Sequence, residues 1–439
     1  MKCNNFVGKF FSEMNSNGIR YAVLRNYESL PESCGGSDLD IFVSSKDITK
    51  LGEILPKVSN SLDASLVSYT ASNACPKLCY LNTKEGIQMD IFVGAITYKT
   101  SVIVSEETIE ENTRTYNGIK VLDDSLGNII AFIKEILNNG KCKDKYIIPI
   151  TENKENYDRN NLAKNLAAFD DKFIDILYES IKSDKIKESI LVLTALGRKG
   201  IKRKSSKNIS TFLSKILRLF KQPGYTIAVL GTDGSGKSFI INSITPVLNE
   251  AFHNGIRYEH MRPNYLPSLA VAMGKKKADE PTGVCSNPHG SKPSGFIGSL
   301  IRLTYYWIDY TWGYFKKVFL DKAFKTHVWL FDRYYYDYYI DQRRARLNLP
   351  SWIIKLYGLF VPAPDLTICL GGDPEKIYAR KPETSLEEVK RQTEVLKEFA
   401  STHKKAVWVD TTTTPEESIK AAMDAIVKMM SKRFANTKL

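Results

Sequence analysis

Hydrophobic and polar positions follow two different rhythms along this chain. In the first hundred residues the apolar runs are short and strand-like: Arg20-Tyr21-Ala22-Val23-Leu24-Arg25, then Ser37-Asp38-Leu39-Asp40-Ile41-Phe42-Val43, then Gly86-Ile87-Gln88-Met89-Asp90-Ile91-Phe92-Val93. From Asp124 to Leu137 the apolar positions recur at helical spacing. The last two hundred residues alternate apolar blocks with helix-period stretches. Tyr225 to Leu230, Thr326 to Phe331, Asp365 to Leu370 and Ala406 to Asp410 are the blocks, and Phe239 to Leu248 and Pro415 to Met430 are two of the helices. Asp373-Pro374-Glu375 opens a further helix with an acidic cap and a proline near its first turn. Strands that alternate with helices predict a doubly wound parallel sheet in this half.

Between these two rhythms lies a break in charge. Arg198, Lys199, Lys202, Arg203, Lys204, Lys207, Lys215, Arg218 and Lys221 crowd a stretch without an acidic residue. This is the expected linker, and it divides the chain into residues 1–124, a helical and basic connection at 125–222, and residues 223–439. Within the linker, Ile209 to Phe220 can place Phe212, Leu213, Ile216 and Phe220 on one helical face with basic neighbours. Two readings stay open: a helix lying at an anionic membrane surface, or one packed across the domain boundary.

With 439 residues, 43% hydrophobic and 25% charged, the chain is long enough for two or three ordinary globular cores. The formal charge of +13 predicts attraction to polyanions without choosing among nucleic acid, anionic lipid and phosphorylated substrates. No specific nucleic-acid motif accompanies it. Seven cysteines lack disulfide-framework spacing, and the N-terminus has no signal-peptide core, so the expected location is cytoplasmic, with a peripheral contact to the inner face of the membrane if residues 198–221 bind lipid. The segment Leu303 to Leu320 is interrupted by Asp309, Lys316 and Lys317, and reads as a buried amphipathic helix rather than a membrane span.

The chemistry of the second half begins at Gly231-Thr232-Asp233-Gly234-Ser235-Gly236-Lys237-Ser238, a glycine-rich loop between an apolar strand and a helix. The glycines let backbone amides turn toward phosphate oxygens, and the helix start adds its dipole. Gly231, Asp233, Gly234, Ser235, Gly236, Lys237 and Ser238 are therefore expected to bind ATP. Lys237 reaches the β- and γ-phosphates, and Ser238 ligates Mg²⁺. Downstream, the strand ending at Phe331 delivers Asp332 and Arg333 to the carboxyl edge of the sheet, where ligands of open parallel sheets sit. Asp332 can serve Mg²⁺ or an acceptor hydroxyl, and Arg333 can hold a phosphate.

The order and spacing of Gly231 to Ser238, Asp332-Arg333-Tyr334, Pro364-Asp365-Leu366 and Val409-Asp410 resemble thymidylate kinases over roughly the last half of the chain. The resemblance implies an α/β P-loop kinase. It implies acceptor binding by Asp233, Arg262 (followed by Pro263), Arg333 and Tyr334, and a mobile lid from Ala379 through Arg391 whose cations Arg380 and Lys381, or Arg391, stabilise transition-state charge. The chain departs from that pattern between Met273 and Gly298, which holds Lys275-Lys276-Lys277 and His289, and again at Tyr334-Tyr335-Tyr336-Asp337, with Asp341, Arg343 and Arg344 expected on the same helix. Aromatics mixed with Asp and Arg suit a sugar ring as well as a base. The acceptor is accordingly a nucleoside monophosphate or a sugar or glycan of bacterial surface polysaccharide assembly. A regulatory ATPase with no acceptor is the competing reading.

In the first half, period-two geometry puts Asp38 and Asp40 on one side of a strand, and Asp90 arrives about fifty residues later on another apolar strand. Carboxylates crowded in this way are costly unless a cation joins them. Asp-x-Asp followed by a distant Asp resembles the metal triad of the nucleotidyltransferase superfamily, over roughly residues 1–150. The resemblance implies an α+β domain with Asp38, Asp40 and Asp90 as metal ligands, but Leu24-Arg25-Asn26 stands where that family starts a helix with Gly-Ser. Both an active transferase and a non-catalytic acceptor-binding module remain open.

Overall fold

The computed structural model describes residues 5–72, 74–99, 101–200, 216–272, 274 and 292–437. The segment expected to reach a membrane thus falls largely outside the described residues, as do His289 and the three lysines from Lys275. No helix among the described residues is long and apolar enough to cross a membrane.

Two sheets organise the chain. The first has seven strands, β1 (Tyr21–Val23), β2 (Leu39–Val43), β3 (Ser65–Thr70), β4 (Lys77–Leu81), β5 (Gly86–Val93), β8 (Thr113–Tyr116) and β9 (Ile119–Leu122), in the order β3-β4-β5-β2-β1-β9-β8. Strands β6 (Ala95–Tyr98) and β7 (Ser101–Ser105) pair separately as a hairpin. The central β2 and β5 are parallel, with Asp40 beside Asp90. Alternation then decides which face each residue meets. Leu39, Ile41, Val43, Met89 and Ile91 pack with the helices Asn5–Ser16 and Ile48–Asn60, while Phe42 and Phe92 pack with the helix Asp124–Asn139 and the helices that follow it to Gly200.

The second sheet has five parallel strands, β10 (Tyr225–Gly231), β11 (Ile256–His260), β12 (Val328–Asp332), β13 (Leu366–Gly371) and β14 (Ala406–Asp410), in the order β11-β12-β10-β13-β14. Such strands are buried on both faces, and here all seven β10 residues are inaccessible. One face carries the helices Lys237–Ala251 and Pro415–Phe434, and the other carries the helical stretch from Phe296 to Phe324 together with Leu386–Thr402. The helix expected at Leu303 to Leu320 is longer and includes wide π turns over Asp309–Phe319. Its aromatic stripe is divided: Tyr310 and Tyr314 enter the core, whereas Trp312 is 56% exposed. The run after Arg333 also differs from one continuous helix, because a helix Asp337–Ile340 stops at Asp341 and a tight turn Arg343–Ala345 follows.

The two sheets share helices. Val67, Cys79 and Leu81 of the first sheet belong to the same core as the helices Lys237–Ala251 and Pro415–Phe434. Tyr225 Oη reaches the carbonyl of Val67, Ser68 Oγ donates to Pro223 O at 2.9 Å, and His253 N donates to Gln88 Oε1 at 3.0 Å. A Cβ placed on Gly86 would stand 2.8 Å from Ala251 Cβ, so the approach of β5 to this helix requires glycine.

Candidate functional site

The glycine-rich loop joins β10 to the helix at Lys237 through two left-handed residues, Gly234 at φ +82° and Gly236 at φ +81°. An added Cβ on Gly234 would also sit 2.6 Å from Ile377 O, so both conformation and space demand glycine there. Lys237 is 9% exposed and donates to the carbonyls of Gly231 at 3.0 Å and Thr232 at 2.8 Å. Burial, and then the repulsion of Arg333, bring its ammonium down to about 7. Ser238 stands exposed in the first turn of the helix. The buried hydroxyls of Thr232 and Ser235 have no partner among the described residues. A loop with idle buried donors and a buried lysine suits phosphate oxygens.

At the neighbouring strand end, Asp332 Oδ2 accepts from Tyr258 Oη at 3.1 Å, while Oδ1 is buried without a partner among the described residues. A bare, hard carboxylate oxygen beside the phosphate loop fits Mg²⁺. Arg333 adopts φ +73°, a rare conformation for a side chain of its size. The turn sends its guanidinium to Asp337 Oδ1 at 3.0 Å and Asp233 Oδ1 at 2.6 Å. Arg344 binds the other oxygen of Asp233. Burial alone would raise the Asp233 carboxyl, but Arg333, Lys237 and Arg344 outweigh it and hold it well below the usual carboxylate range.

Arg262 is positioned from the far side. Its Nη1 lies 3.0 Å from Asp309 Oδ2, and the guanidinium lies 4.9 Å from the Tyr306 ring centre. Asp309 is fully buried and also accepts from the backbone amides of Tyr265 and Leu266. Asp309 is a member of this site to which the motif reading gave no role, while Asp337 and Arg344, expected in a run of aromatics and charges suited to a sugar ring, here bind Arg333 and Asp233. The signal for Asp309 was present, since an acid inside an apolar helix demands a buried partner.

Not every expected residue lines the site. Tyr334 is fully buried, packs edge-on against Tyr310 and donates to Pro362 O at 2.7 Å, so its hydroxyl is engaged within the core. In this structure Arg380 donates to Thr411 O at 2.9 Å and Lys381 pairs with Glu383 at 3.0 Å. Lys381 nevertheless borders the loop, because its Cβ lies 3.3 Å from the position a Gly234 Cβ would take. Arg391 turns to Glu388 and to Ile340 O.

In the first sheet, the side-chain oxygens of Asp38, Asp40 and Asp90 lie within 4.8 Å of one another. Arg25 binds Asp40 and Lys77 binds Asp90, while Asp90 Oδ1 is buried without a partner among the described residues. Burial first, and Asp40 after it, push the Asp90 carboxyl up despite Lys77. A set of hard oxygens with one idle buried lone pair fits a divalent cation, although two of the three charges already have a cationic neighbour. A cleft of about 140 Å³ opens beside Asp40, lined by Arg25, Lys134 and Tyr146.

No protein-family model matches the chain, and no curated protein matches it. Among solved structures, the chain is similar to the thymidylate kinase from Ehrlichia chaffeensis, with 16% identity over 47% of this chain and 100% of that one, at a TM-score of 0.30. The parallel strand order and the loop geometry, independently of that likeness, give the C-terminal half a mixed α/β P-loop architecture.

Proposed function

We propose that the C-terminal half is an ATP- and Mg²⁺-dependent phosphotransferase whose acceptor, a nucleoside monophosphate or a sugar or glycan, lies between Arg262 and Arg333. The observation that carries this reading is the convergence of Lys237, the idle Oδ1 of Asp332 and the clamped guanidinium of Arg333 at one sheet edge. A nucleotide switch needs the loop and the lysine but has no use for a second, acceptor-side arginine fixed by a buried Asp309. Mg²⁺, when bound to Ser238 and Asp332, would neutralise charge on the transferring phosphoryl group. Lys237 exchanges its two carbonyl contacts for phosphate oxygens, Arg333 orients the acceptor or its phosphate, and Arg380 with Lys381 close over the nucleotide once the lid moves.

The test is ADP release with Mg·ATP alone and with dTMP, other nucleoside monophosphates, sugars and oligosaccharides added singly. Acceptor-stimulated turnover that vanishes in Lys237→Ala supports the reading. ADP release that no acceptor accelerates returns the protein to the regulatory-ATPase reading.

For the N-terminal half we propose a divalent-cation site at Asp38, Asp40 and Asp90 serving nucleotidyl transfer. The proximity of the three carboxylates supports it. Bound Mn²⁺ seen by electron paramagnetic resonance and lost in Asp38→Ala, together with loss of label transfer from α-labelled nucleotide, is the expected result. Equal Mn²⁺ binding in the variant would sink the metal assignment.

A further inference from the structure

The face of the first sheet that carries Asp40 and Asp90 is covered in two parts. The helix Asp124–Asn139 packs over Phe42 and Phe92, and the C-terminal half packs over Val67, Cys79 and Leu81. On the second side the cover is incomplete. A cavity of about 420 Å³ remains between the strands β3, β4 and β5 and the loops after Ala251 and Phe324. Thr70, Lys77 and Gln88 line it from the sheet, His253 and Lys325 from the other half, and Arg218 from the connecting segment.

Two of its polar groups lack a partner among the described residues. Thr70 is 6% exposed, yet its hydroxyl has no partner among the described residues. Arg218 Nε is buried and likewise without one, and among the described residues the guanidinium's hydrogen bond is a long one, Nη2 to Ala71 O at 3.4 Å. A guanidinium taken partly out of water with so few acceptors costs free energy unless a ligand supplies them. The acids paired with the cavity's two lysines are engaged there: Asp90 is bound by Lys77, and Asp321 lies 3.1 Å from Lys325. A volume of this size at a domain junction suits a small ligand, and the lining asks for an anion with several acceptor oxygens. Arginine's fork matches phosphate in that respect.

We propose that this junction cavity is a binding site for a phosphorylated small molecule, its phosphoryl group held by Arg218 and the Thr70 hydroxyl. Lys77 connects it to the acid cluster, since this residue lines the cavity and its ammonium is bound to Asp90. The ligand is therefore shared property of both halves and stands beside the carboxylates rather than at the P-loop.

The experiment is calorimetric titration of the full chain, its P-loop saturated with Mg·ADP, with inorganic phosphate, glucose 1-phosphate and UMP in turn. Saturable binding of about one equivalent of at least one probe is expected. Arg218→Gln and Thr70→Val should each weaken it about tenfold or more while leaving the circular dichroism unchanged, and Lys325→Gln, at the surface, should weaken it severalfold. Preference for glucose 1-phosphate marks a sugar phosphate, and preference for UMP marks a nucleotide. The proposal is overturned if no probe binds, if Arg218→Gln and Thr70→Val bind as the native protein does, or if only Arg262→Gln abolishes binding, which would place the probe in the acceptor site instead.

Discussion

Arg333 and Asp233 meet at 2.6 Å, so the end of β12 and the phosphate loop behave as one electrostatic unit. Arg344 closes on the same carboxylate from a different turn. Asp233→Asn leaves two guanidinium groups without their common anion, at a cost of about 2 kcal/mol given partial solvent access. Because the native carboxyl is held low, its contribution is present above the unfolded value of about 4 and is lost as pH falls below it. Urea unfolding from pH 7 to pH 3 should therefore show a smaller acid-dependent loss in Asp233→Asn than in the native protein.

Burial, and then the repulsion of Arg333, bring the Lys237 ammonium down to about 7. The phosphates of a bound nucleotide favour the ammonium and raise that value. Below pH 7 the lysine is already protonated, so binding takes up little; above pH 7 binding must capture up to one proton, and affinity weakens. Calorimetry of ADP binding at pH 8 in two buffers of different ionisation enthalpy should reveal proton uptake. Its absence in the native protein, or its persistence in Lys237→Met, contradicts the assignment.

Gly86 stands against the helix that begins at Lys237. Gly86→Val pushes at least one methyl group into Ala251 and should destabilise the junction by about 1–3 kcal/mol. The expected signature is faster hydrogen exchange in the helix Lys237–Ala251, with the helix Asn5–Ser16 unaffected. Uniform loss across the whole chain would show that the two halves unfold together.

Asp365 accepts from Lys322 at 2.9 Å, from Arg433 at 2.7 Å and from the amide of Thr226 at 2.8 Å. Lys322 is only 3% exposed, so Asp365→Asn strands a buried ammonium and should cost about 3 kcal/mol. The carboxyl is held low by Lys322 and Arg433 against burial, which places its contribution above about pH 4. Thermal unfolding at pH 7 is the measurement. A variant as stable as the native protein would mean that Lys322 reaches water.

The glycine-rich loop between strand and helix was legible in the chain because it is local. Gly231 to Ser238 is a single continuous segment whose glycines admit the left-handed backbone found at Gly234 and Gly236. Asp38 and Asp40 were expected to share one side of a strand, but β2 begins at Leu39 and Asp38 stands just before it, so pleat alone does not account for the closeness of their carboxylates. Asp90 required more, since its place beside Asp40 comes from β2 and β5 pairing in parallel, a register that its own neighbours do not specify.

Residues whose roles depend on long-range packing were misread or passed over. Tyr334 follows Asp332-Arg333 in a site-like motif, yet the left-handed turn at Arg333 aims the arginine at the loop and sends the tyrosine into the core. Arg344 looked like part of one helix until the chain stopped at Asp341 and turned back toward Asp233. The sequence alone determined the loop, the acids and the alternation of strands and helices, because each is a matter of residue type and short spacing. Only the tertiary structure decided which arginines share Asp233, which tyrosines are core, and that the two halves meet across Gly86 to enclose a cationic cavity, because those follow from contacts between segments far apart in the chain.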